Sequence, residues 1–177
     1  MLVFAGLLFA KDFLILPKIS QAVIAFVLFC LASSSAYLLN DIIDRRSDAQ
    51  HPQKRYRPIA SGKLSPYLAF ASSLAFSGGS LWAAYLLDVQ FALVLSAYIL
   101  LTLAYSFFLK NVIILDVLII ASGFVFRAMA GAYAIQEEVS SWLIICTIFL
   151  ALFIALGKRR AEIVALGDHA GDVRKTL

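Results

Sequence analysis

Long apolar stretches separated by short polar connections set the pattern of this chain. Hydrophobic runs cover residues 2–16, 19–39, 67–87, 91–109, 112–133 and 142–156, and each predicts a helix. A helix satisfies its own backbone hydrogen bonds, which a lipid environment demands. A span needs about 20 residues, so the run 2–16 is short for one. No alternating segment of about ten residues repeats, which argues against an outer-membrane barrel. The predicted fold is an all-α integral membrane protein, a transmembrane helix bundle of about six spans forming one unit over 1–177.

Composition agrees. Of 177 residues, 62% are hydrophobic and 15% charged, with a mean hydropathy of +0.90. A soluble domain of this size needs far more polar surface. Cys30 and Cys146 lie in apolar runs without a metal-ligand neighbour, and read as small buried hydrophobes. No basic region precedes the first apolar run, so that run is not a secretory signal. The short first run and the abrupt polar end at 158–177 read as a chain cut at one or both ends.

Charge adds an orientation. Arg45, Arg46, Lys54, Arg55, Arg57 and Lys63 follow the second run, Lys110 follows the fourth, and Lys158, Arg159, Arg160, Arg174 and Lys175 follow the sixth. Lys11, Asp12, Lys18, Asp88, Glu137 and Glu138 fall on the other side. The positive-inside rule places the basic connections in the cytoplasm, here of a bacterial inner (plasma) membrane. The net charge of +4 comes from these loops and calls for no nucleic acid. Orientation and attraction of anionic lipid explain Lys63 and Arg174 well enough. They explain Lys54, Arg55 and Arg57 less well, because those residues sit between prolines directly after an acidic helix end.

That helix end carries the chemistry. Asn40, Asp44 and Asp48 repeat at four-residue spacing, with Asp41 beside them, so three oxygen ligands share one flank of a helix about 6 Å apart. Carboxylates at a bilayer edge are expensive and usually have a task. Oxygen ligands of this kind suit Mg²⁺, which is commonly held by a few carboxylates plus substrate phosphates. A basic tract follows: His51-Pro52-Gln53-Lys54-Arg55-Tyr56-Arg57-Pro58-Ile59-Ala60-Ser61-Gly62. Its prolines and glycine fix a compact loop, and Lys and Arg can take up diphosphate charge. The connection 41–66 is the expected active-site loop, with 157–177 as a second. Asp44, Asp48 and Lys54 are the candidate catalytic residues, and Asn40, Asp44 and Asp48 the candidate metal ligands.

The order Asn40-x-x-x-Asp44-x-x-x-Asp48, then His51-Pro52-x-Lys54-x-x-Arg57-Pro58 and Gly62, resembles the UbiA superfamily of intramembrane prenyltransferases. The resemblance runs along nearly the whole chain, and Tyr105 with Lys110 matches the family's Tyr/Lys element. It implies a nine-span fold of which this chain holds part, since family members carry a basic stretch before the first span and further spans beyond the sixth. The strings at 51–62, 124–131 and 157–162 look most like the family branch that moves a 5-phosphoribosyl group from 5-phosphoribosyl 1-diphosphate to a polyprenyl (decaprenyl) phosphate. In that branch diphosphate leaves, and the product feeds cell-wall polysaccharide synthesis. The resemblance implies a diphosphate-binding set of Asn40, Asp41, Lys54, Arg55, Arg57, Tyr105, Lys110, Lys158 and Arg159, with Mg²⁺ as cofactor.

Alternatives stay open. A UbiA-type enzyme passing a prenyl group to an aromatic or lipid acceptor fits the same motif. Asp168-x-x-x-Asp172 favours that rival, because most of the superfamily holds a second Mg²⁺ with such a pair. It reads equally as solvated loop charge. A small transporter or lipid-binding protein is a third reading, disfavoured because nearly all ionisable residues lie at one face rather than at the midplane. Asp116 and Arg127 share a helix face three turns apart, and Arg127 reads as helix packing or as a group for the acceptor phosphate. Gly78, Gly79 and Gly123 are expected at close helix contacts, Trp82 and Trp142 at the membrane interfaces. His51 reads as a phosphate donor or a turn residue. The pattern leaves the oligomeric state open.

A phosphoribosyl donor carries an extra phosphate and its acceptor is anionic, so this branch calls for more cations than aromatic prenyl transfer. Lys158, Arg159 and Arg160 supply them. Lys158→Ala is therefore expected to weaken donor binding in a titration with 5-phosphoribosyl 1-diphosphate, and an unchanged affinity removes Lys158 from the site.

Overall fold

Pro17 and Pro66 stand in the first turns of two long helices, α2 (Leu16–Ile43) and α4 (Pro66–Leu87), where a missing N–H breaks no helical bond. A computed structural model describes residues 2–9, 14–109 and 113–166, leaving undescribed the side chains of 108, 109, 113, 114, 116, 158, 159 and 162–166. A 3₁₀ turn at Leu2–Phe4 and a short helix α1 (Ala5–Phe9) open the chain. A second short helix, α3 (Arg45–Gln50), follows α2. Asp88 ends α4 and caps α5 (Val89–Ala104), its carboxylate accepting the N–H of Phe91 at 2.8 Å. A π-helical turn at Tyr105–Leu109 closes α5, and α6 (Ile113–Ala134) and α7 (Ser141–Leu166) complete the described chain.

Helices α2, α5 and α6 meet around a core that includes Leu28, Phe29, Phe91, Leu95 and Tyr98. Helix α4 packs across α2 and α5, and α7 lies against α6. The α2–α4 seam is built from small residues: Ala25, Ala32 and Ser35 are buried on α2, and Ala69, Ser73, Ser80 and Ala84 on α4. The Ser73 hydroxyl donates to the carbonyl of Ser35 at 2.9 Å across it. Small side chains let backbones approach where lipid offers no hydrophobic drive between helices. Outward faces are apolar: Leu74, Trp82, Phe149 and Phe153 are all exposed. A helix that is apolar all round is a membrane span.

Each apolar run appears as helix, with differences at the ends. Among the described residues four helices are long and apolar enough to cross a membrane, and Ser141–Gly157 is a shorter apolar stretch, where about six spans were expected. Of the run 2–16, residues 2–9 form the opening turn and α1, and Leu16 begins α2. Helix α7 continues to Leu166, so 157–166 is helical rather than the start of a loop. Lys158, Arg159, Arg160, Ala161 and Glu162 are strong helix formers, which is the reason. Cys30 and Cys146 lie exposed on the bundle's outer surface and are not buried. Trp82 and Trp142 are exposed near the ends of α4 and α7 opposite α3. At that same end Lys18 forms an ion pair with Glu137, tying the start of α2 to the connection after α6.

Of the three glycines expected at helix contacts, Gly123 lies against Tyr98 of α5, with the ring 3.7 Å from a Cβ built on it, while the closest backbone approach occurs at two other glycines. Nothing lies within 4 Å of a Cβ built on Gly78 or Gly79, so they face outward. A Cβ on Gly131 would meet the carbonyl oxygen of Val3 at 1.8 Å, and one on Gly6 would meet the backbone N of Ala132 at 2.6 Å. These two glycines let the opening turn and α1 lie on the end of α6. Gly131→Ala should lower stability by about 1–3 kcal/mol through overpacking, whereas Gly79→Ala should be neutral or stabilise by up to about 1 kcal/mol through helix propensity. Thermal unfolding of both variants in detergent checks the contrast.

Candidate active site

The acidic flank is built on a break in the helix. Helix α2 ends at Ile43, Asp44 stands at the junction with φ −84° and ψ 0°, and α3 starts at Arg45. The expected single helix is thus two. The N–H of Asp44 still bonds the carbonyl of Asn40 at 2.9 Å, and that of Asp48 the carbonyl of Asp44 at 2.8 Å. One-turn spacing therefore survives the break, and Asn40, Asp44 and Asp48 stay stacked.

The loop after α3 folds back over this flank. Nδ1 of His51 accepts the backbone N–H groups of Gln53 at 3.2 Å and Lys54 at 3.3 Å. His51 is thereby the turn residue among its two readings. Ile59, 1% exposed, plugs the loop into the bundle. Gly62 turns it with φ +79°, a conformation that side chains disfavour. Between these anchors Arg57 points at the helix end. Its Nη1 donates to Oδ1 of Asp41 at 2.8 Å and to Oδ2 of Asp48 at 2.9 Å. Asp48 is only 3% exposed, so Arg57 is the partner that satisfies its buried carboxylate.

Other candidates fall around the cluster. Asp44 is half-buried between Asn40 and Asp48 in the stack. Lys54 is exposed on the loop. Arg55 lies over the ring of Tyr56 at 4.9 Å and donates to its hydroxyl at 2.7 Å. Arg57, expected on a phosphate, spends one nitrogen on two carboxylates. Lys110, Asp168 and Asp172 lie outside the described residues, as do the side chains of Asp116, Lys158 and Arg159.

A cavity of about 480 Å³ opens inside the bundle between α2, α5, α6 and α7. Asn40 and Tyr105 line its end nearest the acids; Ser33, Tyr98 and Arg127 line the other. The Arg127 guanidinium donates to the Gly123 carbonyl and to the Tyr98 hydroxyl, both at 2.9 Å. The Tyr98 hydroxyl also shares a hydrogen bond with the Ser33 hydroxyl, 3.0 Å away. Sequence reasoning passed over Ser33 and Tyr98. Their signal was available: each lies seven residues, two helical turns, before a candidate on the same helix, Asn40 and Tyr105.

The acid flank fits a hard divalent cation. Its donors are carboxylate and amide oxygens, and Asp48 keeps one carboxylate oxygen that Arg57 does not bond. Among the described residues no three His, Cys, Asp or Glu side chains converge as a metal group. Mg²⁺ in phosphate sites is usually held by one or two carboxylates, with waters and substrate phosphates as the remaining ligands.

The chain belongs to the UbiA prenyltransferase family, whose model matches residues 1–176. It is 41% identical over 154 residues to the decaprenyl-phosphate phosphoribosyltransferase of Mycolicibacterium smegmatis, covering 87% of this chain and 48% of that protein. The enzyme of the same name from Corynebacterium glutamicum is 40% identical over 161 residues, covering 90% and 48%. That of Mycobacterium tuberculosis H37Rv is 37% identical over 163 residues, covering 92% and 53%. The chain thus spans about half the length of these curated relatives.

Removing Arg57 strands the carboxylate of Asp48. Arg57→Ala should cost on the order of 1–3 kcal/mol and raise amide exchange across residues 51–62. Lys54→Ala, on the exposed face of the same loop, should leave both unchanged. Hydrogen exchange with thermal unfolding measures the difference.

Proposed function

We propose that this protein transfers a 5-phosphoribosyl group from 5-phosphoribosyl 1-diphosphate to a polyprenyl (decaprenyl) phosphate and releases diphosphate. The observation that carries the reading is an oxygen-rich flank at one end of a bundle cavity whose other end holds a cation. The relatives' names supply the substrates. The prenyl-transfer rival leaned on Asp168 and Asp172, and nothing among the described residues favours it.

On this reading the α3 end faces the cytoplasm of a bacterial plasma membrane, as the positive-inside rule requires. The donor diphosphate sits at the mouth of the cavity. Asn40, Asp44 and Asp48 would hold Mg²⁺ there, and the ion would supply charge neutralisation for the departing diphosphate. Lys54 and Arg55 approach the same diphosphate from the loop, and Asn40 and Tyr105 donate from the cavity wall. Lys110, Lys158 and Arg159 complete the cationic side. Arg57 keeps Asp41 and Asp48 in place.

An oxygen of the acceptor phosphate attacks C1 of the ribose. The C1–O bond to diphosphate breaks, and diphosphate leaves with the electron pair. The attacking oxygen is already ionised near neutral pH, since a phosphate monoester has its second pKa near about 6. No general base is therefore needed, and the protein's contribution is alignment and charge.

Labelled phosphoribosyl transfer to polyprenyl phosphate in membranes carrying the chain tests the proposal, and a prenylated aromatic product formed from prenyl diphosphate, with no phosphoribosyl transfer, refutes it. Asp44→Asn and Asp48→Asn each remove a charge with almost no volume. Each should lower turnover by about 10²-fold or more; Asp44→Asn should leave thermal unfolding unchanged, Asp48→Asn should lower it because the ion pair with Arg57 is lost, and full activity in either overturns the site.

A further inference from the structure

Arg127 is ten residues into the Val117–Ala134 stretch of α6, well inside the bundle. A purely structural arginine at such depth pairs with a carboxylate or exhausts its donors on carbonyl groups. Among the described residues no carboxylate pairs with Arg127. Its hydrogen bonds there go to Gly123 and Tyr98, one from each terminal nitrogen. A guanidinium has five N–H donors. Three aromatic rings steady its plane: Tyr98 at 4.9 Å, Phe29 at 5.6 Å and Phe124 at 5.8 Å from its central carbon. Neighbours that clamp the guanidinium this way leave a fixed, charged group on the cavity wall.

The cavity is layered. Ser33 and Tyr98 mark an inner level with Arg127, and Asn40 and Tyr105 mark an outer one. Seven residues separate Ser33 from Asn40 on α2, and Tyr98 from Tyr105 on α5, so the levels are about 10 Å apart. The walls between them include Leu101, Ile119, Ile120 and Phe124.

We propose that Arg127, braced by Tyr98, binds the phosphate monoester of the lipid acceptor at the inner level of this cavity. The inference rests on the phosphoribosyl-transfer reading and extends it to the acceptor. A diphosphate seated at the outer level directs its reacting carbon inward. The acceptor phosphate must then approach from the inner side, where Arg127 stands. An arginine suits the task because it stays charged and offers a bidentate fork to phosphate. The donor's 5-phosphate shares that chemistry, but the donor has nothing apolar to set against the isoleucines and Phe124. An isoprenoid chain does.

The test is binding in detergent, with wild type, Arg127→Gln, Arg127→Lys and Tyr98→Phe each titrated with polyprenyl phosphate, the matching polyprenol, and 5-phosphoribosyl 1-diphosphate. Arg127→Gln should weaken polyprenyl phosphate at least tenfold and leave polyprenol and the donor unchanged. Arg127→Lys should recover part of the loss, and Tyr98→Phe should show a smaller loss of the same selectivity. Unaltered polyprenyl phosphate affinity in Arg127→Gln overturns the proposal. So does an equal loss for the polyprenol, which marks a packing role, or a loss confined to the donor, which assigns Arg127 to the 5-phosphate. Arg127-dependent binding of polyprenyl phosphate by a wild type that binds no donor upholds this site and sinks the phosphoribosyl reading. Donor binding without polyprenyl phosphate binding overturns this site and leaves only the donor half of that reading standing.

Discussion

One guanidinium holds the acidic end of this bundle together. Asp48 is buried at the start of a loop, and a buried carboxylate without a partner is strongly destabilising. Arg57 supplies that partner and takes Asp41 as well. The demand reaches back into the chain. For Arg57 to reach α2, the residues after α3 must reverse direction, which His51, Ile59 and Gly62 accomplish by a turn, a plug and a left-handed backbone. Lys54 and Arg55 are displayed beside the acids as a consequence.

The spans were legible because a lipid-facing helix is apolar on every side, a signal that survives without knowledge of partners. The acidic flank was legible because its four-residue spacing is a property of one helix. The break at Asp44 was not. No glycine or proline marks it, and backbone bonds of helical spacing run across it, so no local pattern reports it. The glycines show the same limit. Gly78 and Gly79 look like a packing site, yet they face outward, while Gly6 and Gly131 meet across a sequence distance no local pattern reports. Helix contact on α2 and α4 is instead carried by alanine and serine, too common to stand out. Cys30 and Cys146 illustrate the inversion of burial in lipid, where an apolar residue satisfied by its surroundings has no need of the core.

Packing at the α2–α4 seam sets the register of the site. Ser33, Ala36 and Asn40 lie along the cavity side of α2, while Ser35 is fixed from behind by Ser73. Rotating α2 would move Asn40 out of the cavity and break the seam together. The polar line from Ser33 to Asn40 is thus held by apolar and small-residue contacts on the opposite flank. Tyr98 performs the matching role on α5, packing its ring against Phe29 at 4.7 Å while its hydroxyl joins Ser33 to Arg127.

A reaction between two anions explains why charge is placed at two depths. On the proposed reading, donor and acceptor both carry phosphate, and bringing them together without compensation is repulsive at short range. Cations gathered only at the mouth would hold the diphosphate and repel nothing, but they would also draw the acceptor phosphate to the wrong side of the reacting carbon. A second cation deeper in the bundle separates the two phosphates along the line of attack. Placing one there is costly, about 2.5–3.5 kcal/mol for an arginine at the centre of a span on insertion scales. The Tyr98 hydroxyl and the three surrounding rings offset part of that cost, worth about 0.5–2 kcal/mol per cation–π contact. The remainder falls to whatever anion the cavity receives, so that the site is best satisfied when the acceptor is bound.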